Sequence, residues 1–443
     1  METLSELCSI SRFNSGTYAD QLHSEKVPMS TVTKASYAVL AACTIAHFLN
    51  HVYSSLISPF STTIRAEMGL TLTQIGTVAS AVILAMTITH LIVGYLGDKG
   101  WRNVFVPASV LLSSVVVVVS AFASTYIFLI IAMALLGVTA SGYHPTVFPT
   151  LAERFPKNAR AKATGVQAIG GLIGMAIIPI LGAFLLLVLG GWEVSFLVLG
   201  IIGLALSIPV FGLFRYARTE DTRTVQVLQD IETGEDGWTL NYWLSLTLMG
   251  LRGMPFRCTA LLFPLYFEDI YGFEPIWAGS LTTILLTAGL VGEMVAAPLS
   301  DRVGKRVPFL IASTGVVAPL MLLLNLSLTP QILVLVLIVM GFFFYLGVPP
   351  NTAFQTEVSP RQSQGLAFGL LFSIGAVPGA LSPIIFGWIG DTWGLPFSIL
   401  YLVVTLFLAT LVAALLKEPK ERQIETPLVL DPIISPRVQS SDA

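Results

Sequence analysis

Charged residues are scarce in this chain. Only 11% of its 443 residues are Asp, Glu, Lys or Arg, whereas 54% are hydrophobic. A soluble domain carries about a quarter charged residues, so the composition excludes an ordinary soluble protein and indicates a membrane protein. The sequence also lacks a basic face and any nucleic-acid-binding motif, so we expect no nucleic-acid partner.

Cysteine and the motifs of enzymes are equally rare. The three cysteines, Cys8, Cys43 and Cys258, are too widely spaced for a disulfide framework or a thiolate metal site. Neither a phosphate-binding Gly-x-x-x-x-Gly-Lys-(Ser/Thr) loop nor a His-Glu-x-x-His pair occurs. We therefore expect no catalytic residue, no cofactor and no nucleotide-driven pump. The first 36 residues lack the apolar core and cleavage site of a signal peptide, so the first apolar helix is expected to direct insertion.

Long apolar runs occupy most of the chain. A helix needs about 20 apolar residues to cross a bilayer, and the runs are continuous rather than alternating, which excludes a β-barrel. The sequence predicts an all-α membrane protein with twelve transmembrane helices at 37–60, 73–97, 103–122, 125–151, 162–188, 193–214, 240–266, 275–300, 306–326, 329–352, 364–390 and 396–416.

One charged segment divides these helices into two groups of six. It follows the sixth span and contains three arginines and six acidic residues between 215 and 236. The predicted organisation is an N-terminal segment (1–36), a six-helix bundle (37–214), a linker (215–239), a second six-helix bundle (240–416) and a polar tail (417–443).

The positions of the basic residues predict the orientation. Lys and Arg concentrate in the cytoplasmic loops of membrane proteins. With both termini inside, all but three of the 23 basic residues lie in the cytoplasm. The exceptions are Arg65 in an outer loop and Arg252 and Arg257 within a span. We therefore predict that both termini, the linker and the tail are cytoplasmic.

The two halves carry related motifs. Gly94-Tyr-Leu-Gly-Asp-Lys-Gly-Trp-Arg-Asn103 follows the second span, and Ala297-Pro-Leu-Ser-Asp-Arg-Val-Gly-Lys-Arg306 follows the eighth. The aspartates of the two motifs, Asp98 and Asp301, are 203 positions apart. Similar offsets relate Gly76 to Gly279, Glu153 to Glu357, Pro156 to Pro360, Gly165 to Gly369, Gly171 to Gly375 and Pro179 to Pro383. Such repeats about a midplane cavity are typical of secondary transporters.

The motif resembles the Gly-x-Leu-x-Asp-(Arg/Lys)-x-Gly-Arg-(Arg/Lys) loop of the major facilitator superfamily, although Trp101 stands where the second glycine is usual. The resemblance covers residues 37–416 and implies two pseudo-symmetric bundles that rock about a central site. Phe263-Pro-Leu-Tyr266, Tyr143-His-Pro145 and Gly170-Gly-x-x-Gly174 are similar to the branch containing fosmidomycin-resistance-type efflux proteins. The Gly-Pro pair of antiporters is absent, because Ile178 precedes Pro179.

The resemblance also implies a cytoplasmic gate. The two motif aspartates would engage the opposite bundle when the inner side closes, with acidic and basic residues at the inner ends of the fourth and tenth spans as partners. Setting the topology is the alternative role of the basic residues. The candidate gating residues are Gly94, Asp98, Arg102, Glu153, Arg154, Asp301, Arg302, Glu357 and Arg361.

Several ionisable side chains lie at membrane depth, where they are costly and mark functional sites. His47 and His51 share one helix face with Asn50 adjacent, and His144 precedes Pro145 in the fourth span. These four residues are candidate substrate ligands. Each histidine could instead be a hydrogen-bonded core residue.

Glu293 and His90 occupy equivalent positions, each eight residues before the motif aspartate of its half. A lone carboxylate in an apolar run can gain and lose a proton, and histidine titrates near neutral pH, so both are candidate proton carriers. The alternative for Glu293 is a fixed ion pair with Arg252 or Arg257.

The two arginines lie around Pro255 in the seventh span. Guanidinium binds carboxylate or phosphate in bidentate fashion, so Arg252 and Arg257 are candidate ligands for an anionic substrate. Histidines at i and i+4 can share a metal ion, but no thiol or carboxylate cluster lies beside His47 and His51 in the sequence. We therefore predict no metal site.

The sequence predicts a secondary active transporter in the cell membrane that acts as a monomer. We expect proton-coupled export of a small organic compound, anionic or amphiphilic, by alternating access between the two sides of the lipid bilayer. Proton-coupled uptake of an organic anion is the alternative within this class. A transport-inactive sensor is the alternative outside it, although the linker and tail are short for a sensory domain.

Overall fold

Helices account for the regular structure of the described residues. The computed structural model of the chain describes residues 32–220 and 234–419. The first half has eight α-helices: α1 (Lys34–Ser54), α2 (Ser61–Met68), α3 (Leu72–Leu96), α4 (Arg102–Ser120), α5 (Tyr126–Ala140), α6 (His144–Arg154), α7 (Lys157–Leu189) and α8 (Trp192–Glu220). The second half has nine: α9 (Leu240–Tyr271), α10 (Pro275–Val303), α11 (Val307–Gly315), α12 (Val317–Leu323), α13 (Pro330–Leu346), α14 (Val348–Val358), α15 (Gln364–Ser373), α16 (Val377–Trp393) and α17 (Leu395–Leu415).

These helices supply the twelve predicted membrane crossings. Nine segments of the described chain are long and apolar enough to span a bilayer. One of them, Leu72–Ser120, has 49 residues and turns back at Gly97–Trp101, so it crosses twice. The shorter apolar segment Val307–Leu323 and the helix α9, which carries two arginines, complete the set. The chain is an integral multi-pass membrane protein, and the orientation of its termini stays a prediction.

Helix ends follow the local sequence. Thr33 and Thr71 begin α1 and α3 with capping boxes, in which each hydroxyl accepts from the main-chain N–H three residues later. Gly272 ends α9 in the left-handed conformation that glycine adopts without steric cost. Glu220 ends α8 beyond the predicted bundle boundary at 214, and residues 221–233 of the predicted linker lie outside the described residues.

Two predicted spans are broken at equivalent points. The fourth is interrupted at 141–143 between α5 and α6, and the tenth at Gly347 between α13 and α14. Pro145 and Pro349 lie in the first turn of the following helices. Proline lacks the N–H that would continue the preceding helix, so it favours a break on its N-terminal side.

The two bundles meet along α3 with α16 and along α7 with α10. At one end, which we call the Arg65 end, Arg65 Nη1 lies 2.6 Å from Asp269 Oδ2 across this boundary. The Asp391 carboxylate also accepts hydrogen bonds there from the main-chain N–H groups of Leu72 and Thr73, both at 2.8 Å. We call the opposite end, where α3 turns into α4, the Arg102 end.

Candidate functional site

The three predicted histidines of the first bundle lie together. Nδ1 or Nε2 atoms of His47, His51 and His144 lie within 4.8 Å of one another. The His47 and His51 rings are one helical turn apart on α1, with centroids separated by 4.8 Å. The break between α5 and α6 brings His144 towards them, with ring centroids 5.3 Å from His47 and 5.7 Å from His51.

A hydrogen-bond network holds the His47 ring. His47 Nδ1 lies 2.9 Å from the Gln167 carbonyl oxygen, and the ring stacks on Tyr143 at a centroid distance of 4.8 Å. The Tyr143 hydroxyl shares its one O–H between the Gln167 side-chain oxygen at 2.7 Å and the Cys43 carbonyl oxygen at 2.9 Å. A Cβ at Gly171 would lie 2.5 Å from His47 Nε2, so glycine is required for this approach of α7 to α1.

The tautomer of His47 follows from this network. A carbonyl oxygen only accepts, so Nδ1 carries the proton and, in the neutral ring, Nε2 bears a lone pair. His47 is only 9% exposed, and its Nε2 has no hydrogen-bond partner among the described residues. Buried polar atoms are nearly always paired, so this unpaired nitrogen is a candidate ligand atom.

His90 extends the group. Its ring lies 5.9 Å from that of His144, and its Nε2 is also buried without a described partner. We call His47, His51, His90 and His144 the histidine cluster. Asn50 lies beside the cluster but donates to the Ala140 carbonyl at 2.8 Å, so it supports the end of α5.

Two arginines on α9 lie in different surroundings. Arg252 is buried, donates to the Phe344 carbonyl at 2.7 Å and lies 5.9 Å from the Phe344 ring centroid. Arg257 is half-buried, and its nearest aromatic partner is Phe256, with 6.0 Å between the guanidinium carbon and the ring centroid. Within the described ranges, Arg257 has neither a hydrogen bond nor an ion pair.

The charge of Arg257 reaches side chains of the first bundle. It acts on three members of the histidine cluster, namely His51, His90 and His144. The cluster and Arg257 belong to different bundles, so together they are the candidate for a central site at the boundary between the two halves. This candidate site contains one guanidinium and the four imidazoles of the histidine cluster.

Glu293 on α10 belongs to the same region. It interacts electrostatically with Arg252 and with Tyr345, but no ion pair within 4.0 Å joins it to either arginine in the described chain. A Cβ at Gly289, one helical turn away, would lie 2.5 Å from the Tyr345 ring. The Tyr345 hydroxyl lies 3.8 Å from Met175 Sδ of the first bundle. Glu293 is therefore a carboxylate close enough to Arg252 for the two charges to interact without forming an ion pair.

The predicted gating residues form two equivalent clusters at the Arg102 end. Arg102 lies 2.5 Å from Asp98 and 2.8 Å from Glu153 in the first bundle. Arg306 lies 2.7 Å from Asp301 and 3.4 Å from Glu357 in the second bundle. The Asp98 and Asp301 side chains are 75% and 69% exposed. In this structure, the two aspartates thus bind arginines of their own bundle.

Other predicted gating residues lie apart from these clusters. Arg361 binds the end of the linker, donating to the Gly234 carbonyl at 2.6 Å and lying 3.9 Å from Asp236. The Arg154 carbonyl accepts from Ser36 at 2.9 Å. Arg302 is exposed. A Cβ at Gly94 would lie 3.9 Å from Pro145 Cβ, an ordinary contact, so this glycine is not required for close packing.

Some residues of these sites were absent from the sequence-based predictions. Arg306 follows Arg102 by 204 positions, so the repeat offset identifies it as the second cluster arginine in place of Arg302. The Gly100 backbone has φ 99°, and Gly304, also 204 positions later, has φ 67°. The shifted glycine of the first motif is therefore the left-handed residue in the turn between α3 and α4, as Gly304 is after α10. Gln167 has no sequence signal, since its role depends on how α7 faces α1.

Comparison with known proteins agrees with this architecture. The family model of the Major Facilitator Superfamily matches residues 43–251 and 245–438. The chain is 25% identical over 391 residues to a probable sulfoacetate transporter of Cupriavidus necator, covering 83% of this chain and 90% of that protein. It is 23% identical over 366 residues to the fosmidomycin resistance protein of Escherichia coli, covering 82% and 88%.

A solved structure has the same fold. A bacterial homologue of the human lysosomal transporter Spinster, in an inward-facing and occupied conformation, superposes with a TM-score of 0.74. The two chains are 16% identical, and the match covers 87% of this chain and 97% of the other. At this identity the likeness concerns the fold alone.

Proposed function

Because this chain belongs to the Major Facilitator Superfamily, we propose that it moves a small organic anion across the membrane by proton-coupled alternating access. Membership of this superfamily already makes the protein a transporter of small organic compounds and not an enzyme. The observation that carries this proposal is Arg257, a half-buried arginine with no anionic partner among the described residues, whose charge reaches histidines of the opposite bundle.

Arg257 is the proposed anion ligand. A guanidinium in a membrane interior is costly unless a partner balances its charge, and its planar fork matches a carboxylate, sulfonate or phosphonate. His51 and His144 lie within reach of its charge, and with His47 they belong to the opposite bundle. The similarity to a probable sulfoacetate transporter supports an anionic substrate, since sulfoacetate is a small organic anion.

Glu293 is the proposed proton carrier. It interacts electrostatically with Arg252, and Arg252 donates a hydrogen bond to the Phe344 carbonyl. When Glu293 is ionised, Arg252 is electrostatically balanced, and when Glu293 is protonated, that positive charge becomes available to attract an anion. Proton and anion binding at linked sites must raise each other's affinity reciprocally. His90, at the equivalent position of the first bundle, remains a second candidate carrier.

Alternating access requires the two ends to open in turn. Cross-bundle bonds at the Arg65 end, including that between Arg65 and Asp269, support closure there in this structure. Asp98 and Asp301 are largely exposed and held within their own bundles. We propose that they exchange partners across the boundary when the Arg102 end closes.

The direction of transport has two candidates. Movement of anion and protons together gives uptake when the proton gradient points inward, and the reciprocal linkage described above favours it. Proton-driven export is the alternative, and the similarity to the fosmidomycin resistance protein supports it. The two differ in the sign of the proton flux that accompanies the substrate.

Proteoliposomes containing the purified protein test this proposal. A panel of small carboxylates, sulfonates and phosphonates would be added while an internal dye reports pH, with neutral and cationic compounds as comparisons. We expect selected anions to move protons in the wild type. Arg257→Gln should raise the KM for the anion about 10- to 100-fold, the loss expected for a charge-assisted hydrogen bond.

Arg215→Gln, at an exposed arginine on α8, is the matched control and should behave as the wild type. Arg257→Lys keeps the positive charge but loses the planar, two-pronged guanidinium. Its KM for the anion should lie between those of the wild type and Arg257→Gln. Transport of only neutral or cationic compounds, or an unchanged KM in Arg257→Gln, would contradict the proposal. The sign of the pH change decides between uptake and export.

A further inference from the structure

The histidine cluster has the composition of a metal site. Three imidazoles from two parts of the first bundle place ring nitrogens within 4.8 Å of one another. We propose that His47, His51 and His144 bind a divalent transition-metal cation of the zinc, cobalt or nickel class. This inference goes beyond the proposed transport function and does not depend on it.

The spacing is close to that of a three-histidine site. Zinc–nitrogen bonds are about 2.0–2.1 Å long, and tetrahedral ligand nitrogens are therefore about 3.4 Å apart. The ring nitrogens of the three histidines lie within 4.8 Å of one another, so a bound ion would require them to move closer together. His51 lies one turn after His47 on α1, the arrangement by which two histidines of one helix share an ion.

His47 is already oriented as a metal ligand. Its Nδ1–H donates to the Gln167 carbonyl at 2.9 Å, and its Nε2 is buried without a described partner. Metal-bound histidines commonly donate their second N–H to a carbonyl, which fixes both the tautomer and the ring orientation. Stacking on Tyr143, itself bonded to Gln167, restrains the ring further.

The same tautomer argues for a cation over an anion at this nitrogen. In the neutral ring Nε2 offers a lone pair, which attracts a metal ion and repels a carboxylate oxygen. His90 lies next to His144, and its buried Nε2 also has no partner among the described residues. Imidazole ligands without carboxylates favour zinc, copper, nickel or cobalt over magnesium or calcium.

Arg257 opposes the bound cation, because its positive charge acts on His51 and His144. Neutral imidazoles supply no negative charge to balance a dication. We therefore expect removal of this guanidinium to strengthen metal binding, whereas it would weaken binding of an anion at the same place. This opposite sign separates the metal site from the proposed anion site.

Titration of the full-length protein with Co²⁺ tests the inference. The protein would carry no polyhistidine tag and would be freed of metal with a chelator. Binding at the cluster should produce the visible absorption of four- or five-coordinate cobalt at one ion per chain, and Zn²⁺ should displace it. His51→Ala and His144→Ala should each weaken Co²⁺ binding at least tenfold, and Arg257→Gln should tighten it.

His23, the fifth histidine, lies outside the described residues, and His23→Ala is the matched control that should leave binding unchanged. Thermal unfolding of each variant identifies any that fail to fold, and His51→Gln then replaces His51→Ala. Absence of the cobalt spectrum, or a spectrum unaffected by substitutions at both His51 and His144, would overturn the inference. Anion transport measured with excess chelator tests the proposed function separately.

Discussion

Gly76 on α3 lies directly against the main-chain carbonyl of Pro383 on α16, across the boundary between the bundles. A Cβ at this glycine would overlap the carbonyl oxygen. The same contact recurs with the halves exchanged, because Gly279 on α10 lies against the carbonyl of Pro179 on α7. The glycines are 203 positions apart and the prolines 204, so the repeat builds the boundary from two equivalent contacts.

Gly76→Ala should therefore loosen the closed state. The added methyl group must displace α16, and overpacking of this kind costs about 1–3 kcal/mol. We expect the thermal unfolding temperature in detergent to fall. Gly212→Ala is the control, since no atom lies within 4 Å of a Cβ there and alanine favours the helix. Equal unfolding temperatures for both variants would show that the boundary has room at Gly76.

The ion pair between Arg65 and Asp269 should couple the bundles at the Arg65 end. Both side chains are about one-fifth exposed, and the atoms are 2.6 Å apart. A partly solvated pair is worth about 1 kcal/mol at most. A double-mutant cycle with Arg65→Gln and Asp269→Asn, followed by thermal unfolding, measures this coupling. A coupling indistinguishable from zero would mean that the pair does not hold this end closed.

Asp391 caps a helix of the other bundle. Its carboxylate accepts from the N–H groups of Leu72 and Thr73 and from the Thr73 hydroxyl at 2.5 Å, at the N-terminus of α3. Loss of a capping interaction costs about 0.5–2 kcal/mol. Asp391→Ala should reduce stability by this amount, and Asp391→Asn by less, because an amide oxygen still accepts. Similar effects of the two substitutions would argue against capping.

Arg306 should matter more than Arg302 for cycling between states. Arg306 occupies the position equivalent to Arg102 and bonds Asp301 and Glu357, whereas Arg302 is exposed. We expect Arg306→Gln to lower the transport rate several-fold and Arg302→Gln to change it little. Both variants remove one positive charge from the same short stretch of sequence. An effect on membrane topology would therefore lower the transport rate of both variants equally.

The internal repeat and the apolar runs predicted the architecture, whereas the packing of individual helix faces could not be predicted from the sequence. Asp98 and Asp301 identified the two halves, and the twelve spans followed from the apolar runs. The i, i+4 spacing of His47 and His51 placed them on one face. Their approach to His144 depends on how α6 turns towards α1, and apolar helices are hydrophobic all round, so their sequences do not indicate which face turns inward.

Interactions of main-chain groups were equally hidden. Gln167 acts on His47 through its carbonyl, a group that every residue possesses. Asp391 likewise binds main-chain N–H groups of a helix some 300 positions away in sequence. Arg306 was missing from the sequence-based predictions, although the 204-position offset from Arg102 leads to it.

Substitution of Glu293 should separate substrate movement from proton movement. Glu293→Gln keeps the shape of the side chain but removes its titratable proton. If Glu293 carries the coupled proton, accumulation driven by a pH gradient should be lost, whereas exchange of labelled for unlabelled substrate at equal pH should persist. Both rates are measured in the same proteoliposomes, so the ratio of accumulation to exchange is independent of how much protein is active.

A fixed partnership with Arg252 gives a different result. If Glu293 only balances that charge, Glu293→Gln should leave a buried guanidinium uncompensated and lower the unfolding temperature and both transport rates together. Adding Arg252→Met to Glu293→Gln should then restore stability, because the pair is replaced by uncharged side chains of similar size. A coupled proton carrier would show no such rescue of accumulation, since the double variant still lacks the group that binds the proton.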